Sequence, residues 1–154
     1  MFERQVMFAA LLTASFLATP FAVAGSWHFN KAIGLDGQAY VTDTGDYRLE
    51  IECGNGGGPS LMLSAPTLAN GPLGRAPKQT SITFDIDGRP FDEPFECHPG
   101  GTSCGNYGIP ATPLITALRQ GTDLVVRYQT EPVATFSLVG SNAALSRLSA
   151  CIEP

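Results

Sequence analysis

Four stretches of the chain alternate apolar and polar side chains with a period of two, and only a β-strand puts every second residue on one side. Tyr47, Leu49, Ile51 and Cys53 alternate with Arg48, Glu50 and Glu52. Ile82, Phe84 and Ile86 are separated by Thr83 and Asp85, and Leu124, Val126 and Tyr128 form a third row. Ala134, Phe136 and Leu138, spaced by Thr135 and Ser137, form a fourth. One apolar and one polar face per strand is the pattern of antiparallel sheets with a solvated side. Shorter candidates lie at Trp27–Asn30, Ala39–Asp43, Leu61–Ser64 and Phe91–Glu96.

The connectors agree with hairpins. Asp87-Gly88 suits a two-residue turn, since both residues accept positive φ. Asp43-Thr44-Gly45-Asp46 turns the chain between neighbouring strands, and Glu131-Pro132 is expected to separate the last two. The 17 glycines and 12 prolines leave little room for long helices. Two short ones are expected. The first has Thr112 as N-cap, Pro113 in its first turn and Gly121 at its end, with Leu114, Ile115 and Leu118 on one face. The second runs from about Ser141 to Cys151, with Leu145 and Leu148 inward. Residues 65–79 read as an extended loop. The expected fold is mainly β: a small antiparallel β-sandwich with one or two short helices, one of them C-terminal, stabilised by disulfides.

The N-terminus has the layout of a secretory leader. Arg4 precedes an apolar run from Val6 to Ala18, and Ala22-Val23-Ala24 supplies a small-x-small cleavage site. The run is too short and too interrupted for a spanning helix, which needs about 20 apolar residues. The expectation is a cleaved signal peptide over 1–24 and a single β-sandwich domain over 25–154, with no membrane insertion after cleavage. The product would be periplasmic or extracellular, where thiols pair. Four cysteines, Cys53, Cys97, Cys104 and Cys151, permit three connectivities. The favoured one is Cys97–Cys104, closing a small glycine-rich loop, with Cys53–Cys151 tying a strand to the C-terminal helix.

Charge and motifs narrow the function classes. The formal net charge is −5 and the cations are scattered singly, against the clustered basic patch of a nucleic-acid binder. Gly101-Thr102-Ser103-Cys104-Gly105 spells G-x-S-x-G, but no strand leads in, no helix leads out, and no histidine follows His98. Cys97, His98 and Cys104 match no common zinc spacing. Gly54-Asn55-Gly56-Gly57-Gly58-Pro59 lacks the Lys-Ser or Lys-Thr of a phosphate cradle. His28 reads as a strand residue. Asp85 and Asp87 read as the wet face of a hairpin, and Asp92, Glu93 and Glu96 as a solvated strand edge. Trp27 and Tyr107 fit either surface or core. No catalytic, cofactor-binding or metal-ligating set emerges, and no cofactor is expected.

From Leu49-x-Ile51-x-Cys53 through Ile82-Thr83-Phe84-Asp85-Ile86-Asp87-Gly88, the cysteine pair and Leu114-Ile115…Leu118…Gly121, the order of elements resembles a group of small exported bacterial proteins. The similarity continues through Leu124-Val125-Val126 and Ala134-Thr135-Phe136-Ser137-Leu138 to Ala144-Leu145…Leu148…Cys151. It points to the invasion-associated locus B family and to the VasI-type proteins linked to type VI secretion. That resemblance implies a periplasmic β-sandwich without known catalysis and carries over no functional residue. The expected function is therefore an exported, non-enzymatic protein that binds another protein or an envelope component. The candidate interaction loop is His98, Pro99, Gly100, Gly101, Thr102 and Ser103. The alternatives are an inhibitor that presents this loop to a periplasmic or secreted hydrolase, and a small hydrolase using Asp85, Asp87 or His98.

Overall fold

The period-two rows become strands of one continuous antiparallel sheet. The computed structural model describes residues 25–31, 35–54, 58–106, 108, 110 and 112–152. The leader at 1–24 and Tyr107 lie outside them. Among the described residues the strands are β1 (His28–Asn30), β2 (Leu35–Thr42), β3 (Arg48–Gly54), β4 (Pro59–Ser64), β5 (Gln79–Ile86), β6 (Arg89–Cys97), β7 (Ser103–Asn106), β8 (Asp123–Tyr128) and β9 (Glu131–Ser137). The helices are α1 (Thr112–Gln120), α2 (Ser141–Ser146) and α3 (Ser149–Ile152). None is long and apolar enough to cross a membrane.

The strand order is β1-β2-β3-β4-β7-β6-β5-β8-β9. Two four-stranded halves, β1 to β4 and β6-β5-β8-β9, are thus joined through the short β7. Their inward rows meet in one core: Ala39, Val41, Leu49, Ile51, Leu61 and Leu63 from the first, Ile82, Phe84, Leu124, Val126 and Phe136 from the second. The far edges also meet. Trp27 Nε1, just before β1, donates to the Ser137 carbonyl at the end of β9, 3.0 Å away. Trp27 is buried, so it belongs to the core and stitches the seam.

The two disulfides form as expected. Cys53 of β3 bonds Cys151 of α3, and Cys97 bonds Cys104, its direct partner across β6 and β7. The helices close one end of the sandwich. Leu114, Ile115 and Leu118 of α1 are buried, and the buried Ser141 Oγ donates to the Leu118 carbonyl at 2.7 Å, fastening α2 to α1.

Several local expectations need correction. The single C-terminal helix is broken in two, because Arg147 and Leu148 N–H groups bond back only three residues, to Ala144 and Leu145. Thr112 lies in the first turn of α1 rather than before it. The last hairpin turns at Gln129-Thr130, with Gln129 at φ 56°, and Glu131 and Pro132 open β9. Pro132 is tolerated because β9 is an edge strand and a bulge lies beside it. β7 has no apolar alternation to announce it; it is a strand because its neighbours β4 and β6 pair with it. The loop at 65–79 contains two 3₁₀ turns, Leu68–Asn70 and Leu73–Arg75, and buries Leu68 and Leu73.

Candidate functional site

The loop between Cys97 and Cys104 is the tip of the β6–β7 hairpin. His98, Pro99, Gly100 and Thr102 are exposed, Gly101 and Ser103 half-buried. Gly100 takes φ +73°, where a side chain is strained. Three contacts fix the loop besides its disulfide. Gly101 N–H donates to the His98 carbonyl at 2.7 Å, Gly100 N–H to the Gly74 carbonyl at 3.1 Å, and Ala65 N–H to the Thr102 carbonyl at 2.9 Å. Gly74 is confined in turn, since a Cβ there would lie 2.1 Å from the Ala69 carbonyl oxygen. The loop is thus solvent-facing at its tip and tied down at its base.

Beside Thr102 runs a shallow groove of about 570 Å³ whose walls include Thr42, Asp46, Arg48, Ser64 and Pro66. Its position follows from register: Thr42, Arg48, Ser64 and Ser103 are successive partners across β2, β3, β4 and β7 on the outer face. Next to it on the same face is a polar network that the alternation pattern did not single out. Gln38 Nε2 donates to Glu50 Oε1, and to Glu52 Oε1 at 2.8 Å. Arg48 donates to Glu50 Oε2 at 2.6 Å and to Gln38 Oε1 at 3.1 Å. The Arg48 guanidinium also lies over the Tyr40 ring at 3.8 Å, and His28 stacks on that ring at 5.2 Å. Glu50 is only 6% exposed although its side chain points outward. Burial, then its contact with Glu52, push the Glu50 carboxyl above the ordinary carboxylate value, and Arg48 opposes them. The sequence signal was present, two glutamates two residues apart on one strand. What it lacked was the register that sets Gln38 opposite Glu52.

The other titratable candidates do not converge. Asp85 is 3.6 Å from Arg127. Asp87 accepts from the Thr122 and Asp123 backbone N–H groups, which fastens the β5–β6 turn to the start of β8. Asp92 accepts from Thr83 Oγ1 at 2.5 Å, and Glu96 lies 3.6 Å from Lys78. Glu93 is the exception to a solvated edge. It is 4% exposed, because the β6 alternation sends it inward between Phe91 and Phe95, where Asn106 Nδ2 donates to it at 3.0 Å. Ser103 opens a strand instead of a strand-to-helix elbow, and the Cys97 and Cys104 sulfurs are bonded to each other. His28 lies in β1, as its alternation implied.

A family model described as YfjT matches residues 25–145, the span that contains every strand above, the loop and the groove. The chain belongs to the YfjT family. Comparison with curated proteins and with solved structures returned no match. Nothing in these comparisons links this YfjT member to the invasion-associated locus B family or to the VasI-type proteins.

Proposed function

We propose that this YfjT-family chain is an exported, non-enzymatic binding protein that grips another protein or an envelope component with the loop His98–Ser103. One observation carries the reading: the loop tip is exposed while its base is held by a disulfide and by backbone bonds to Gly74 and Ala65. A loop already fixed in shape loses little conformational entropy on docking, which is how pre-organised binding loops gain affinity. Export is supported by the leader pattern of residues 1–24 and by two disulfides, chemistry that oxidising compartments sustain. The resemblance to exported invasion-associated locus B and VasI-type proteins points to the same compartment. Asp85 and Asp87 are committed to separate structural contacts and His98 lies on the exposed loop, an arrangement that favours binding over catalysis.

The test places a photo-crosslinking residue at Thr102 of the full chain, and at the exposed Thr135 of β9 as control. In periplasmic extract, Thr102 is expected to give a discrete protein adduct that Thr135 does not, and Cys97→Ala/Cys104→Ala should abolish it. No adduct, or the same adducts from both positions, would overturn the reading. The rigidity of the same loop also favours a narrower version, an inhibitor that wedges it into a hydrolase cleft. That version predicts inhibition within a panel of lysozymes and proteases, lost on replacing Gly100 and Gly101. A panel left wholly uninhibited would eliminate it.

A further inference from the structure

The two segments that flank the disulfide-closed loop lack the acidic excess of the rest of the chain, with Glu96 and Asp46 as the carboxylates nearby. The protein has 14 Asp+Glu against 9 Lys+Arg. Yet the two segments that build the rim, residues 65–79 and 98–103, contain Arg75, Lys78 and His98 and no acidic residue at all. Backbone bonds bring the two segments alongside each other. Gly74, next to Arg75, accepts from Gly100, and Lys78 accepts through its carbonyl from Cys97, next to His98.

Most cations elsewhere are engaged. Arg48 is held by Glu50, Arg127 lies against Asp85, and Arg147 lies over the Phe29 ring. Arg75 and His98 are exposed, and their side chains make no ion pair or hydrogen bond with any described residue. Lys78 is paired with Glu96 only across 3.6 Å of solvent-exposed surface, an interaction that exchanges readily. An unpaired guanidinium on a rigid turn presents the planar fork of donors that matches a carboxylate. Among the described residues Val139 is the exposed large hydrophobic side chain, so charge rather than an apolar patch is what this rim offers.

We infer that this rim docks an acidic face of a partner protein, with Arg75 and Lys78 receiving its carboxylates and His98 between them. The inference rests on the binding reading above and names the chemistry of its partner. Two cations and one histidine are too few for a nucleic acid or an anionic membrane, whose binding needs a denser basic cluster. A protein carboxylate face needs only a few charges at fixed positions, and the anchored loop supplies those.

The probe is a polyglutamate peptide of about 20 residues, titrated against the full chain by calorimetry or thermophoresis. Binding is expected at about 50 mM NaCl, weakened about tenfold by Arg75→Glu/Lys78→Glu and similarly by about 300 mM NaCl. Arg147→Glu, away from the rim, should leave it unchanged. Wild-type binding no stronger than that of the double variant would overturn the inference. So would an equal loss in Arg147→Glu, or tighter binding to phosphatidylethanolamine–phosphatidylglycerol vesicles or to a DNA duplex than to the peptide. If the protein cross-linked at Thr102 is captured equally by the double variant, the binding reading stands and the acidic-partner inference falls.

Discussion

The two disulfides close loops of very different length, and that difference sets a quantitative test. Cys53–Cys151 spans 98 residues of sequence and Cys97–Cys104 only 7. Cross-linking limits the unfolded chain in proportion to the logarithm of loop length, which gives about 4.7 kcal/mol for the long loop and about 2.4 kcal/mol for the short one at 25 °C. Packing works against this order and narrows the gap. Cys97 and Cys104 are both fully buried, whereas Cys151 is only partly so, and the alanine cavity is therefore at least as large in the short-loop variant. Cys53→Ala/Cys151→Ala should then still be the less stable variant, by about 1–2 kcal/mol, or roughly 0.5–1 M in urea midpoint for a chain of this size. The sole tryptophan provides the signal, since Trp27 is buried at the seam where the two sheet edges meet. Equilibrium urea titration followed by its fluorescence compares wild type with the two double variants. Equal losses, or a greater loss in Cys97→Ala/Cys104→Ala, would refute the loop-length reasoning. Against a total stability of about 5–15 kcal/mol, the long-loop loss is a large fraction.

Two further outcomes follow from the seam and the outer face. Trp27→Phe keeps a ring in the seam but removes the donor to Ser137, so stability should fall by roughly 1–2 kcal/mol, read by circular dichroism melts because the fluorophore is gone. Glu50 has a folded-state value raised by burial, so its contribution is fully present below the ordinary carboxylate range, about 4.3, and is lost as pH rises through the raised value. Glu50→Gln should flatten the stability–pH curve from that range upward and leave the acid side almost unchanged. Urea midpoints at several pH values check this, and an unaltered slope would mean that Arg48 and Gln38 already compensate the buried charge.

Local pattern and long-range pairing divide the protein cleanly. Alternation made β3, β5, β8 and β9 legible because side-chain direction in a strand depends only on parity. Asp87-Gly88 was legible because its positive φ values, 50° and 82°, belong to those residue types. The four rows of apolar residues and the 17 glycines thus determined a small antiparallel protein before any contact was known. The cysteine loop was legible as a loop for the same local reason.

Tertiary structure decided what those elements do together. Only pairing shows that Ser103–Asn106 is a strand joining two half-sheets, because β7 is held by neighbours and not by its own pattern. Only register sets Gln38 and Arg48 around Glu50, and sends Glu93 inward beside Asn106. Arg75 and His98 are separated by 22 intervening residues in the chain, and the Gly74–Gly100 bond brings their segments to one rim. The physical reason is common to all three. Parity and turn propensity act over a few residues, whereas register and rim contacts depend on which distant strand lies alongside, and that is settled only when the whole core closes.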